Sequence, residues 1–157
     1  MKRGKAARVE VSGLESHAGF WLRFVSNHVS QAFARRVAAK GVTVAEWVVL
    51  REIYGREGAT PGGVAKRTGM TRGAISKLVD RLVRKELVTR RERDDDRRFQ
   101  DIALTTAGER LVPELAALAD KNDEEFFAPL AASERRQLIA AMKKLVSANR
   151  FQRLPTE

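Results

Sequence analysis

One change of hydrophobic period constrains this chain more than any other feature. After Thr71, the residues Ile75, Leu78, Val79, Leu82 and Val83 recur at i, i+3, i+4, i+7 and i+8, the buried stripe of an amphipathic helix. Beyond Leu87-Val88 the period falls to two, with Ile102 and Leu104 on one face and charged residues around Asp94-Asp95-Asp96. That pattern predicts a two-stranded hairpin with an exposed tip. Upstream, Thr60-Pro61 supplies a cap residue and a proline at the first helical position, where its missing N–H costs nothing, and Val64, Ala65 and Arg67 fit a short helix. Thr68-Gly69-Met70 is the turn and Thr71 the next cap. A short helix, a turn, a second helix and a hairpin are the parts of a winged helix-turn-helix.

The flanking segments are helical. From Leu14 to Ala39, Ala18, Trp21, Leu22, Val25, Val29, Ala32, Phe33 and Val37 follow helical spacing, and Lys40-Gly41 ends the run. Thr43-Val44-Ala45-Glu46 reads as a capping box opening a helix through Trp47, Leu50, Ile53 and Tyr54. Thr105 to Glu109 opens another through Leu111, Leu115 and Leu118 toward Phe126-Phe127. Pro129 interrupts it, and Ser133 starts a last helix carrying Leu138, Ile139, Met142, Leu145 and Val146. The four prolines are expected at or near element boundaries. The predicted fold class is mainly α with a small two-stranded β wing.

The formal net charge of +10 makes nucleic acid the leading partner. Between Thr60 and Gln100, twelve Lys and Arg stand against six Asp and Glu, so +6 of that charge lies in about a quarter of the chain, a localised footprint. The outer face of the second helix shows Arg72, Ser76, Lys77, Arg81, Arg84 and Lys85. Thr71, Arg72, Ser76, Lys77 and Arg81 are the candidate DNA contacts, with Arg72 and Ser76 better placed for bases, Lys77 and Arg81 for phosphate. A membrane partner is disfavoured, because no stretch approaches the roughly 18 apolar residues of a spanning helix. Met1 to Arg8 is basic without the apolar run of a secretory signal, so a cytoplasmic protein is expected.

With no cysteine there is no disulfide, thiolate zinc site or thiol switch. Asp94, Asp95 and Asp96 supply hard oxygen ligands, but neighbouring strand residues point to opposite faces and flanking arginines neutralise them, so no metal is expected. His17 and His28 lie about 16 Å apart along one helix and cannot share an ion. No nucleophile with an adjacent base and no phosphate-cradling loop is visible, and neither an enzyme nor a cofactor is expected.

The segments TRGAISKLVDRLVRKELV (Thr71 to Val88), RRERDDDRRFQDIALT and LTTAG resemble the recognition helix, wing and wing-to-helix junction of the MarR family. The resemblance implies a transcription regulator, of repressor type, acting as a homodimer on an inverted repeat in double-stranded DNA. The alternative is a non-specific nucleoid or architectural protein. By the same resemblance residues 1–13 are a disordered basic arm, 14–42 a dimerisation helix, 43–104 the DNA-binding lobe and 105–157 further dimerisation helices. The apolar faces of the terminal helices, which need something to cover them, agree with that division. In the wing, Asp96 is implied to support an arginine for the minor groove, Arg98 first and Arg97 second. Relatives bind small aromatic or anionic effectors between the two parts. By residue type Trp21, Trp47 and Tyr54 read as core; with His28 they are also the candidate effector pocket. In one respect the sequence departs from the family: Glu86 stands where glycine usually relieves a left-handed helix exit, which implies either modest strain there or a slightly different exit and wing angle.

Overall fold

Threonine hydroxyls set four of the helix starts. In the computed structural model, which describes residues 10–92 and 100–149, a 3-10 turn (Leu14–Ser16) precedes α1 (Ala18–Ala38), α2 (Val44–Ile53), α3 (Pro61–Thr68) and α4 (Arg72–Arg84). Strands β1 (Val88–Glu92) and β2 (Gln100–Leu104), then α5 (Thr106–Phe126) and α6 (Ala132–Ala148), complete the order. The Oγ1 atoms of Thr43, Thr60, Thr71 and Thr105 accept the N–H groups of Glu46, Gly63, Ala74 and Gly108, at 3.0–3.2 Å. Each such cap contributes about 1 kcal/mol by satisfying an otherwise orphaned amide. Thr43 forms the full capping box, its own N–H donating to Glu46 Oε2 at 2.8 Å.

Three expectations are corrected. The first long helix begins at Ala18 rather than near Leu14, because Ser16 Oγ donates to the Gly13 carbonyl (2.6 Å) and His17 Nδ1 lies 3.1 Å from the same oxygen, holding an extended His17. Side-chain bonds of this kind compete with helix propagation. The last helix starts at Ala132, with Glu134 accepting the Ala131 N–H (2.8 Å), and Ser133 is already in its first turn. Pro113 lies inside α5 rather than at a boundary.

The core draws on every element from α2 to α5: Val49, Leu50 and Ile53 of α2, Val64 of α3, Ile75, Leu78, Val79 and Leu82 of α4, Val88 and Ile102 of the hairpin, and Val112 and Leu115 of α5. Only the C-terminal end of α1 enters it, through Val37. Val83 does not belong to the stripe; it is 37 % exposed. At 3.6 residues per turn, position 83 lies about 80° past Ile75, away from the other members. No residue of α6 is buried. Arg36 pairs with Glu125 and Lys40 with Glu114 (2.7 Å), fastening α1 to α5 at the surface.

The exit from α4 fixes the wing. Among the described residues Glu86 is the one non-glycine with positive φ (58°). Its N–H donates to the Val83 carbonyl and that of Leu87 to the Leu82 carbonyl, both 2.9 Å, the bonding of a Schellman motif. Of the two outcomes the sequence left open here, the backbone takes the strained one: it is left-handed although the residue is glutamate. The Leu87 carbonyl then accepts from Thr105 N (3.1 Å) and that of Glu86 from Thr105 Oγ1 (2.7 Å). Gly108 packs so closely that a Cβ there would stand 2.3 Å from the Leu87 oxygen. In the sheet, Val88 pairs with Leu104 and Glu92 with Gln100, antiparallel, and Ile102 N–H donates to the Ala59 carbonyl (2.8 Å), tying the wing base to the approach to α3.

At the same exit, Lys85 Nζ donates to Glu46 Oε1 (3.0 Å), Glu46 Oε2 (2.8 Å) and the Gly41 carbonyl (2.8 Å). Glu46 is 1 % exposed. Burial alone raises its pKa, but hydrogen bonds from Lys85 and the Thr43 N–H, with the lysine's charge, outweigh that and hold the carboxyl below the ordinary value of 4.5.

Two outcomes follow for stability. Glu86→Gly removes the left-handed penalty and stabilises the protein by about 0.5–1 kcal/mol, whereas Gly108→Ala, which drives a methyl into a carbonyl, destabilises it by about 1–3 kcal/mol; urea unfolding of the two variants shows opposite signs. Because the Glu46 pKa is lower folded than unfolded, the stability it contributes is fully present above the unfolded value and is lost as pH falls through the folded one. The difference in unfolding free energy between the wild type and Glu46→Gln is therefore constant near neutrality and shrinks on acidification below the usual carboxylate range.

Candidate nucleic-acid interface

The buried stripe of α4 leaves the opposite side of that helix facing solvent. Arg72, Gly73, Ser76, Lys77, Asp80, Arg81 and Arg84 are all exposed there. Gly73 has open space around the position of a Cβ, which leaves a shallow spot beside Ser76 and Lys77 on the outer face. Thr71 is exposed, with its hydroxyl oxygen engaged by the Ala74 amide. The candidate contacts on this helix therefore lie together on one continuous surface.

Cations near the helix divide into two sets. Arg90 donates to Asp80 Oδ1 (2.6 Å), bracing β1 against α4 and neutralising the single carboxylate of that helix. Arg67 donates to Glu52 Oε2 (2.6 Å), joining α3 to α2. Lys85, counted from the sequence with the outer basic face, is turned to Glu46 and Gly41 and is not part of that face. Among the described residues Lys66, Arg72, Lys77, Arg81, Arg84 and Arg91 have no carboxylate partner. These exposed, uncompensated charges suit a polyanion, since half or more of protein–DNA hydrogen bonds go to phosphate and sugar. A concavity of about 530 Å³ between α3 and α4, bordered by Gly62, Lys66, Met70 and Arg72, continues the basic surface to the first helix of the pair.

Asp96, Arg97 and Arg98 lie outside the described residues, as do Asp94 and Asp95. Two of the four pocket candidates, Trp21 and His28, both meet Phe24 along α1. Trp21 is 48 % exposed on α1, its Nε1 donating to the Glu15 carbonyl (2.9 Å). His28 stacks on Phe24 at 4.5 Å, its Nδ1 2.7 Å from the Phe24 carbonyl. Trp47 meets Phe33 edge-on, centroids 6.4 Å apart, where α1 crosses α2. Tyr54 ends α2 on the surface. None of the four borders the concavity above or a second one of about 250 Å³ formed by Val29, Phe127, Arg135, Leu138 and neighbouring residues.

Sequence reasoning did not anticipate the Asp80–Arg90 brace or the Gly41–Glu46–Lys85 cluster. A lone carboxylate on an otherwise cationic helix face was the available sign of the first. The second joins residues up to 44 positions apart, and periodicity carries no signal for it.

Comparison with known proteins agrees with this geometry. The sequence profile of the MarR family matches residues 40–98. The HTH-type transcriptional regulator SarZ of Staphylococcus haemolyticus is 26 % identical over 142 residues, covering 90 % of this chain and 95 % of its own. The S. aureus MepR–DNA complex superposes with a TM-score of 0.77 at 25 % identity, over 84 % of this chain and 98 % of the other. CouR from Rhodococcus jostii RHA1, bound to p-coumaroyl-CoA, gives 0.74 at 28 % identity, over 86 % and 95 %. By its profile, its architecture and these relatives, the chain is similar to the winged helix-turn-helix transcription regulators of the MarR family.

Proposed function

We propose that the protein is a ligand-responsive repressor that binds a palindromic operator in double-stranded DNA as a homodimer. The observation carrying this reading is the exposed face of α4, on which Arg72, Lys77, Arg81 and Arg84 have no carboxylate partner among the described residues. The helix enters the major groove, with Arg72 and Ser76 at base edges and Thr71, Lys77 and Arg81 toward the backbone. The wing follows the adjacent minor groove, Asp96 supporting Arg98, with Arg97 beside it. The likeness to MepR, solved as a DNA complex, supports the same mode of docking.

Dimerisation is supported by apolar side chains that a single chain leaves uncovered: Leu22, Phe24 and Val25 on α1, and Leu138, Ile139, Met142, Leu145 and Val146 on α6, with Leu145 54 % exposed. Burying the exposed part of each contributes about 1 kcal/mol, and a second copy presenting the same surfaces covers both sets. In this division residues 14–42 and 105–157 hold the dimer and 43–104 read DNA, so the half-sites lie about one helical turn apart. A small aromatic or anionic effector, held between dimer helices and lobe near Trp21, His28, Trp47 and Tyr54, releases DNA by favouring another spacing of the two recognition helices. The acyl-CoA thioester bound by CouR supports an effector of this chemistry.

Titration against promoter and random duplexes at physiological salt tests the reading. Affinities separated by about a thousandfold or more are expected, and equal affinities would favour an architectural protein. Arg98→Ala weakens promoter binding by about 1–3 kcal/mol without altering the melting temperature; normal affinity in that variant would refute the wing assignment. Leu145→Asp places a charge in the dimer contact and yields a smaller species by sedimentation. A dimer that persists unchanged would place the interface elsewhere.

A further inference from the structure

We infer that Lys85 is a positioning residue for DNA recognition: clamped by Glu46 and the Gly41 carbonyl, it sets the angle at which α4 and the wing leave the body of the molecule, and it is not a phosphate contact. The inference rests on the DNA-binding reading of α4 above.

A lysine ammonium carries three protons, and here three acceptors lie within 3.0 Å of it. Turning to a phosphate would abandon a carboxylate that is almost wholly buried, and an uncompensated buried charge is among the costliest defects a fold can carry. The surroundings hold the ammonium in place without DNA. Lys85 caps the C-terminus of α4, Gly41 has φ 77° in the turn that closes α1, and both helix ends carry partial negative charge. Glu46 stands in the first turn of α2 and uses Oε2 to close the Thr43 capping box as well. One cation therefore joins the end of α1, the start of α2 and the end of α4, one residue before the left-handed Glu86 from which the wing departs.

Leverage makes this junction matter. Arg72, at the far end of α4, is about 20 Å from Lys85 along the helix axis, so a tilt of about 5° at the junction moves the base-reading end by roughly 2 Å. Hydrogen bonds to base edges do not survive such a displacement, whereas attraction between a basic surface and the phosphate backbone tolerates it. The apolar stripe of Ile75, Leu78, Val79 and Leu82 holds α4 against the core but is non-directional. The three polar bonds at Lys85 supply direction.

The experiment uses the full chain and the duplex it selects from a random pool. Glu46→Gln keeps an oxygen for the Thr43 amide but weakens the hold on Lys85, while raising the net charge by one. If charge alone mattered, every duplex would bind at least as tightly. A positioning role lowers affinity for the selected duplex and spares random DNA, so the specificity ratio falls by fivefold or more at temperatures where the variant is fully folded. Partial unfolding would reduce both affinities equally. Lys85→Met keeps the wild-type slope of log affinity against log salt, whereas Lys77→Met loses about 0.9, the signature of one phosphate contact. If either single variant fails to fold, the double variant Glu46→Gln/Lys85→Met, which leaves no unpaired charge, takes its place with the same threshold and slope. A ratio changed by less than fivefold, or a slope lowered by about 0.9 on loss of Lys85, overturns the inference. If the wild type selects no sequence, the DNA-recognition reading itself fails and the inference falls with it, an outcome distinct because it appears before any variant is made.

Discussion

At the Leu87 carbonyl, two chain segments approach more closely than any side chain would permit. Its oxygen accepts the Thr105 amide while Gly108 presses against it, in a space where a Cβ would stand 2.3 Å away. The wing's base, the start of α5 and the exit from α4 all meet there. A carbonyl cannot yield as a flexible side chain does, so the absence of a side chain at Gly108 is what allows α5 to begin where Thr105 caps it. On the other side of the same oxygen, Glu86 takes a left-handed conformation that glycine would accept without cost. The chain keeps glycine where a clash is absolute and accepts glutamate where the penalty is only conformational.

Charge around this junction is sorted by what it touches. Arg90, Arg67 and Lys85 are held by Asp80, Glu52 and Glu46, and each joins two elements. Arg72, Lys77, Arg81 and Arg84 have no carboxylate partner among the described residues and lie on the solvent side of α4. Cations that brace the helix and cations that face outward thus come from a single run of sequence. Residue type alone does not separate them, because a lysine four residues from an arginine can lie on the same helix face and still find a carboxylate 39 positions away. For the same reason Lys85 was legible as a charge but not as a clamp.

Apolar residues divide with similar clarity. The lobe from α2 to the first half of α5 buries its stripes, whereas α6 buries nothing and the N-terminal part of α1 exposes Trp21, Leu22 and Phe24. Helical periodicity marked both groups equally, since it reports an amphipathic face and not what covers it. The caps were read correctly wherever Thr precedes a helix, because a hydroxyl acceptor three residues before an amide is a local arrangement. The start of α1 was misplaced, because Ser16 and His17 bond back to Gly13 and stop a helix that hydrophobic spacing alone would continue.

Residue order alone was enough for the order of elements, the helix-turn-helix with its hairpin and the basic footprint. Each is set by neighbours within a few positions, through hydrogen-bonded caps, side-chain spacing or backbone sterics. Tertiary structure alone decided that Lys85 bonds to Glu46 and Gly41, that Glu86 takes the left-handed exit, that Asp80 is neutralised by Arg90 and that Val83 slips off the buried stripe. Those outcomes depend on which distant groups converge on one point in space, where hydrogen bonds and packing are settled by proximity and not by order along the chain.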